Sequence, residues 1–127
     1  MKPPVCVFFG SDAICLPILE VLISSSDRLE LLAVVSQPDR RQGRGKRVKS
    51  NPVAAWAKNN EITLFQPEKP GAELAEWMQA HSTAIALVMA YGHFLNRALR
   101  EAPTVGMYNF HASLLPKYRG ATPIEWA

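Results

Sequence analysis

The chain has 127 residues, of which 48% are apolar, and a net charge of +3. This length suits one domain, and the apolar fraction excludes wholesale disorder. No apolar run is long enough to span a membrane, and the first strand-like run begins at Val5, which leaves no room for a signal peptide. We therefore expect a cytoplasmic protein without a membrane partner. We also expect a monomer, although the sequence itself does not give the oligomeric state.

The first part of the chain predicts a strand, a helix and a second strand. The apolar run at residues 5–9 is typical of a buried parallel strand, and Gly10 ends it. Ser11 or Asp12 can cap the helix that follows. A second buried strand is predicted at residues 31–35. The only two cysteines show neither a metal-ligand spacing nor a disulfide framework, so we predict buried thiols and no metal site.

The basic segment at residues 37–49 differs from the rest of the chain. It contains Pro and two glycines and shows no apolar period, so we predict a loop. Its local charge is +5, whereas the remaining residues carry −2. Such a patch suits a polyanion held at one place, although a solvated surface run of charge is the alternative. The six cations are Arg40, Arg41, Arg44, Lys46, Arg47 and Lys49.

Helices and strands continue to alternate through the second half of the chain. In chain order they are a helix from Asn51, a strand at residues 63–65, a helix around 74–78, a strand at 84–90, a short helix at 96–101 and a strand at 107–110. Parallel strands need such crossover helices. The predicted fold is therefore α/β, an open doubly wound sheet that is mostly parallel.

The last predicted strand leads into closely spaced polar side chains. Side chains two residues apart in a strand point the same way, so Asn109 and His111 should face one space. An amide and an imidazole could stabilise an oxyanion and move a proton, which suggests acyl transfer without a covalent intermediate. The alternative is that Asn109 caps the strand and His111 is an ordinary loop histidine.

The final residues contain a helix-start signal. Thr122, Pro123 and Glu125 form a capping box with Pro at the first helical position, and this predicts a helix. The sequence stops at Ala127, before such a helix could sustain itself. We therefore expect a C-terminally truncated domain, the front part of a longer protein.

The stretch "NFHASLLPKYRG" at residues 109–120 resembles the formyltransferase family that uses 10-formyltetrahydrofolate. The family motif is Asn-x-His followed by Ser-Leu-Leu-Pro and an aromatic-Arg-Gly. "VFFGSDAICLPILEVL" is similar to the family's first strand, glycine turn and helix, and "ALVMAYGHFL" to the segment that borders the folate site. "QPDRRQGRGKRVKSNPV" is similar to the basic loop of the members that formylate initiator methionyl-tRNA. The resemblance spans essentially the whole chain and implies a Rossmann-like formyltransferase fold.

The resemblance also implies roles for particular residues. Asn109 and His111 match the catalytic Asn and His, and Arg44 matches a basic-loop arginine of tRNA recognition, with the other cations of the segment beside it. The co-substrate would be 10-formyltetrahydrofolate, the acceptor the α-amine of initiator methionyl-tRNA, and no metal is implied. The residues implied to line the folate pocket are Tyr91, Gly92, His93, Phe94 and Leu95, together with the supporting turn Ser113, Leu114, Leu115 and Pro116.

The chain also departs from the family pattern. The third catalytic member, an Asp, would lie beyond Ala127, so residues 1–127 are expected to be the N-terminal part of the catalytic domain and inactive alone. The rest of that domain and a C-terminal barrel domain would be absent. Two alternatives stay open. One is a sugar-nucleotide or other small-amine formyltransferase, although a small acceptor has no use for the basic segment. The other is a non-catalytic nucleic-acid-binding domain.

Overall fold

The computed structural model describes residues 2–42, 47–111 and 124–125, and strands alternate with helices along them as predicted. The strands are β1 Val5–Gly10, β2 Glu30–Val35, β3 Arg40–Gln42, β4 Arg47–Lys49, β5 Thr63–Phe65, β6 Thr83–Met89, β7 Gly106–Phe110 and β8 Ile124–Glu125. The helices are α1 Leu16–Ser24, α2 Pro52–Asn59, α3 Ala72–Ala80 and α4 Arg97–Glu101, and one 3₁₀ turn at Ala13–Cys15 precedes α1. Within the described residues, no helix is long and apolar enough to cross a membrane.

Six strands form one sheet in the order β5-β2-β1-β6-β7-β8. Strand β1 pairs in parallel with β2 and β6, β2 with β5, and β6 with β7, whereas β8 runs antiparallel to β7. The predicted, mostly parallel sheet is therefore confirmed. The chain winds from β1 outward through β2 and β5 and then returns to the other side of β1. The carboxyl ends of β1 and β6 thus flank the point where strand order reverses, where ligands bind in open α/β sheets.

Helices cover both faces of the sheet, so the fold is doubly wound as predicted. Val7 and Phe9 face the core that α3 and α4 cover. Phe8, between them in sequence, faces the second core, against α1 and α2. Alternate burial of both faces explains the continuous apolar run of β1. Full burial of a phenylalanine such as Phe8 stabilises the fold by about 1.5–3 kcal/mol.

Three helical segments start where the sequence places a capping residue. The Asp12 carboxylate accepts a hydrogen bond from the Ile14 amide at 2.9 Å, before the 3₁₀ turn. The Asn51 side chain caps α2 through an equivalent bond of 2.8 Å, and the Asn96 side chain caps α4 at 3.0 Å. Such caps typically contribute about 1 kcal/mol each. These three predicted helix starts are confirmed.

The prediction of a loop at residues 37–49 is confirmed at residues 37–39 and is wrong at Arg40–Gln42 and Arg47–Lys49. Strands β3 and β4 pair antiparallel there, with Arg40 opposite Lys49. We call this pair the basic ribbon. Its one described apolar side chain, Val48, is 62% exposed. A ribbon outside the core needs no alternation of apolar residues, so the apolar period gave no strand signal. The connecting residues 43–46 lie outside the described residues.

The helix predicted from the capping box is also not observed. Ile124 and Glu125 form β8, which pairs with Asn109 and Tyr108 of β7. The other two residues of the box, Thr122 and Pro123, lie outside the described residues. Without β8, β7 would present unpaired backbone groups at a sheet edge. A tertiary hydrogen-bond partner thus overrides the local helix signal.

Candidate active site

A cavity of about 480 Å³ opens where β1, β6 and β7 end. Asn109 lines it from β7, His111 from just beyond the end of β7, and Asp12 from the turn after β1. The segment after β6 contributes Tyr91 and His93. The structure therefore brings Asn109 and His111 together in one space, as expected for side chains two residues apart. We call this space the catalytic cleft, for the role that we propose for it.

Asn109 and His111 differ in their surroundings. Asn109 lies opposite Val88 in the register of β7 with β6 and is half-buried. Its side chain makes no hydrogen bond to another residue in the described part of the chain. His111 follows the end of β7 and is exposed. An unpaired amide and an accessible imidazole at one cavity wall can bind an oxygen that gains charge and exchange a proton.

Four of the five residues that follow β6 and were implied to line a folate pocket border the catalytic cleft: Tyr91, Gly92, His93 and Leu95. The Tyr91 ring is 2% exposed and packs edge-on against Phe9 and His93, with centroid distances of 5.5 and 5.4 Å. Phe94 points elsewhere: it is 77% exposed, and the Arg100 guanidinium lies 6.0 Å from its ring centre. The turn Ser113 to Pro116 lies outside the described residues.

Two buried polar atoms beside the cleft have no partner within the described residues. They are the hydroxyl oxygen of Tyr91 and Nε2 of His93. Burial raises the pKa of Tyr91 to about 12, so its hydroxyl keeps its proton at neutral pH. Buried polar groups normally have hydrogen-bond partners, so these two atoms are exceptions among the described residues.

A second cavity of about 430 Å³ adjoins the catalytic cleft and shares Asp12, Ala90, Tyr91 and Gly92 with it. Arg40 and Lys49 line this cavity from the basic ribbon, so positive charge adjoins the cleft. Arg41 and Arg47 belong to the ribbon strands, and Arg44 and Lys46 lie outside the described residues.

Sequence reasoning missed several polar residues of the second cavity. Ser11 and Asn51 were predicted only as possible helix caps, and Gln37 was given no role, yet all three line the cavity. The missed signal was position: Gln37 follows the carboxyl end of β2, where ligand-binding residues of such sheets gather.

Both cysteines lie in the buried core. Cys6 and Cys15 are buried free thiols, as predicted. Burial raises the pKa of Cys6 to about 12 and that of Cys15 to about 11, so both stay protonated at neutral pH. Over residues 2–42, 47–111 and 124–125, no group of three or more His, Cys, Asp or Glu side chains could hold a metal ion.

Residues 5–127 match the family model described as formyl transferase. The chain belongs to the formyl transferase family. It is 47% identical over 122 residues to the methionyl-tRNA formyltransferase of Sorangium cellulosum, and 42% identical over 123 residues to that of Synechococcus elongatus. Each alignment covers 95% of this formyl transferase chain but only 38% and 37% of the relative, so the chain spans less than two fifths of their length.

Solved structures of other proteins share the fold of this chain. Glycinamide ribonucleotide transformylase 1 of Symbiobacterium toebii has a TM-score of 0.64 at 17% identity, covering 94% of this chain and 56% of that one. The corresponding enzyme of Geobacillus kaustophilus has a TM-score of 0.63 at 15% identity, covering 95% and 64%. At such identities the likeness shows the Rossmann-like fold alone, and it agrees with the predicted fold.

Proposed function

We propose that the protein containing this chain transfers a formyl group from 10-formyltetrahydrofolate to the α-amine of initiator methionyl-tRNA, the charged tRNA of translation initiation. One observation carries the proposal: a basic ribbon borders a cavity that shares a wall with the cleft of Asn109 and His111. A polyanionic acceptor could thus lie on the ribbon while its reactive end enters the cleft. Relatives named methionyl-tRNA formyltransferase support this choice of acceptor.

In the proposed reaction, the acceptor amine forms a bond to the formyl carbon, and the bond from that carbon to N10 of the folate breaks. Asn109 and His111 hydrogen-bond the carbonyl oxygen while it carries negative charge. His111 also passes the amine proton toward the leaving nitrogen. The products are a formylated amine and tetrahydrofolate, so no redox partner is needed.

The donor is proposed to bind against the segment after β6. Tyr91, Gly92, His93 and Leu95 border the cleft, so the donor would lie against this segment. Phe94 belongs to the family segment but would act only from outside the cleft in this arrangement. Ser113, Leu114, Leu115 and Pro116 complete the proposed folate site.

The acceptor is proposed to bind the basic ribbon through its phosphates. Arg40 and Lys49 border the shared cavity, and Arg41, Arg44, Lys46 and Arg47 extend the charge along the segment. Phosphate contacts release counterions, so the affinity for tRNA should fall with salt. A small sugar nucleotide would not use this extended charge.

The proposal includes a longer, monomeric, cytoplasmic protein. An Asp beyond Ala127 would orient His111, and a C-terminal barrel domain would help to hold the tRNA. The relatives are longer than the aligned region, which leaves room for such parts. The 127-residue chain alone is then expected to be inactive.

A comparison of acceptors tests the proposal. The intact protein is incubated with 10-formyltetrahydrofolate and either initiator methionyl-tRNA, glycinamide ribonucleotide or an amino-sugar nucleotide. We expect formylation of the methionyl-tRNA alone. Formylation of a small amine instead would indicate one of the other family activities. Tight RNA binding without any formyl transfer would support the non-catalytic alternative.

A further inference from the structure

Gln37 joins several separate segments through its backbone. Its amide N–H donates to the Ser11 hydroxyl at 3.0 Å, in the turn after β1. Its carbonyl oxygen accepts hydrogen bonds from the side chains of Asn51 and Gln66, both at 3.0 Å. These partners precede α2 and follow β5, so Gln37 is held from three sides.

The Gln37 side chain links the basic ribbon to the catalytic cleft. Its Nε2 donates to the Tyr91 carbonyl at 2.8 Å, and its Oε1 accepts from the Arg40 guanidinium at 2.8 Å. A flipped amide would place oxygen against the carbonyl and nitrogen against the guanidinium. The two partners therefore require one orientation of the amide group.

The turn that accepts this hydrogen bond has an unusual backbone. Ala90 and Gly92 have φ angles of 49° and 94°, in the left-handed region that residues with a Cβ rarely adopt. The Ser11 amide donates a hydrogen bond to the Ala90 carbonyl at 3.1 Å, and the Ser11 hydroxyl donates one to the Tyr91 carbonyl at 3.3 Å. The turn thus depends on contacts from Ser11 and Gln37, and its residues line both cavities.

Gly92 and Gln37 also approach each other closely. A Cβ built on Gly92 would lie 2.2 Å from Nε2 of Gln37. A side chain at position 92 must therefore push the Gln37 amide away, and Arg40 would lose its acceptor. Because the Gln37 amide packs directly against Gly92, a shift of the Ala90–Gly92 turn moves the amide, and a shift of the amide moves the turn.

We infer that Gln37 is a positioning residue that couples the basic ribbon to the catalytic cleft. This inference rests on the proposed function and deepens it. The Gln37 amide group makes both hydrogen bonds, one to the Arg40 guanidinium and one to the Tyr91 carbonyl. A phosphate that binds and moves the Arg40 guanidinium therefore also changes the hydrogen bond to the Tyr91 carbonyl. Binding of RNA on the ribbon and the shape of the Ala90–Gly92 turn are therefore linked.

A double-mutant cycle in the intact protein tests the coupling. The affinity for a short fluorescent RNA stem–loop is measured for wild type, Gly92→Ala, Gln37→Ala and the double variant. Gly92→Ala changes the cleft turn and not the ribbon, yet we expect it to weaken RNA binding by roughly fivefold or more. In the Gln37→Ala background the same change should have no further effect on RNA affinity, since the side chain that links the turn to Arg40 is gone, although the positive φ of position 92 still strains the turn.

Gly71→Ala is the matched control. A Cβ on Gly71 meets nothing closer than the Lys69 carbonyl oxygen at 4.0 Å, so RNA affinity and turnover should stay unchanged. Melting curves of every variant identify general destabilisation. Equal effects of Gly92→Ala in both backgrounds, or an unchanged RNA affinity in a folded Gly92→Ala protein, would overturn the inference.

Gln37→Glu decides the question even if Gly92→Ala does not fold. It keeps an acceptor for Arg40 but loses the donor to the Tyr91 carbonyl. The added negative charge beside Arg40 should weaken RNA binding, and at saturating methionyl-tRNA the turnover number for formyl transfer should fall about tenfold, the effect of one lost hydrogen bond. Unchanged turnover would overturn the inference. A failure of the proposed function gives another result. In that case the wild-type protein would not formylate methionyl-tRNA, although the double-mutant cycle measured by RNA affinity could still show coupling.

Discussion

Replacing Asn109 with Ala separates a catalytic from a structural role for this residue. If Asn109 donates a hydrogen bond to the oxyanion, its loss in the intact enzyme should lower turnover roughly 10²–10³-fold, or about 2.7–4 kcal/mol of transition-state stabilisation. The KM values should change little, because the contact forms mainly in the transition state.

The structure predicts that the same substitution barely affects stability. The Asn109 side chain is half-buried and has no hydrogen-bond partner within the described residues, so truncation leaves no buried group unpaired. A change within about 0.5 kcal/mol is expected for such a site. In an enzyme of the size of the relatives, this corresponds to a shift in melting temperature of about 2 °C or less.

The assay combines initial rates of methionyl-tRNA formylation with thermal melting of the same preparation. Asn60→Ala is the matched control, because the Asn60 side chain donates to the Trp56 carbonyl at 2.9 Å, at the end of α2 and away from both cavities. This control should lose about 1 kcal/mol of stability and keep its turnover. A destabilised but fully active Asn109→Ala enzyme would refute the reasoning and return Asn109 to a strand-capping role.

Three further predictions follow from the described contacts. Lys49→Ala should reduce the slope of log affinity for tRNA against log salt by about 1, measured by titration at several salt concentrations; an unchanged slope would place Lys49 outside the phosphate contacts. Gly10→Ala should destabilise the fold by about 1–3 kcal/mol, because its Cβ would lie 2.7 Å from the Met89 carbonyl oxygen; an unchanged melting temperature would contradict this packing. The hydrogen bond from Gln66 lowers the pKa of Asp39 in the folded protein. The contribution of ionised Asp39 to the free energy of unfolding is therefore fully present above the unfolded-state pKa, and it is lost as the pH falls through the lower folded-state pKa. An NMR titration of the Asp39 carboxyl with an unshifted midpoint would count against that contact.

The elements of this fold could be predicted from local sequence because local chemistry specifies them. Strand β1 is a short apolar run, and the side chains of Asn51 and Asn96 form hydrogen bonds within the first turn of their helices. Such signals need only a few neighbouring residues. The alternation of strands and helices then restricts the fold to a doubly wound sheet. The Asn-x-His pair also follows local rules, since residues two apart in a strand share a face.

The errors arose where a strand is identified by the segment it pairs with and not by its own apolar pattern. The ribbon at Arg40 to Lys49 lies outside the core and has no apolar period, so only its cross-strand pairing identifies it as two strands. Ile124 and Glu125 have a helix-start signal, yet they pair with β7. The hydrogen bonds of an adjacent strand are a tertiary property that a local pattern does not contain.

The tertiary structure alone decided which polar groups meet beside the cleft. The Gln37 amide and the Tyr91 carbonyl are 54 residues apart in sequence, and no spacing rule connects them. They meet because parallel strands β1, β2 and β6 bring their carboxyl ends to the same edge of the sheet. The same geometry leaves Phe94 outside the cleft while its neighbours Tyr91, His93 and Leu95 line it. Local sequence thus determined most of the elements, and their packing determined the site, because the contacts of the site join residues that only the folded sheet makes adjacent.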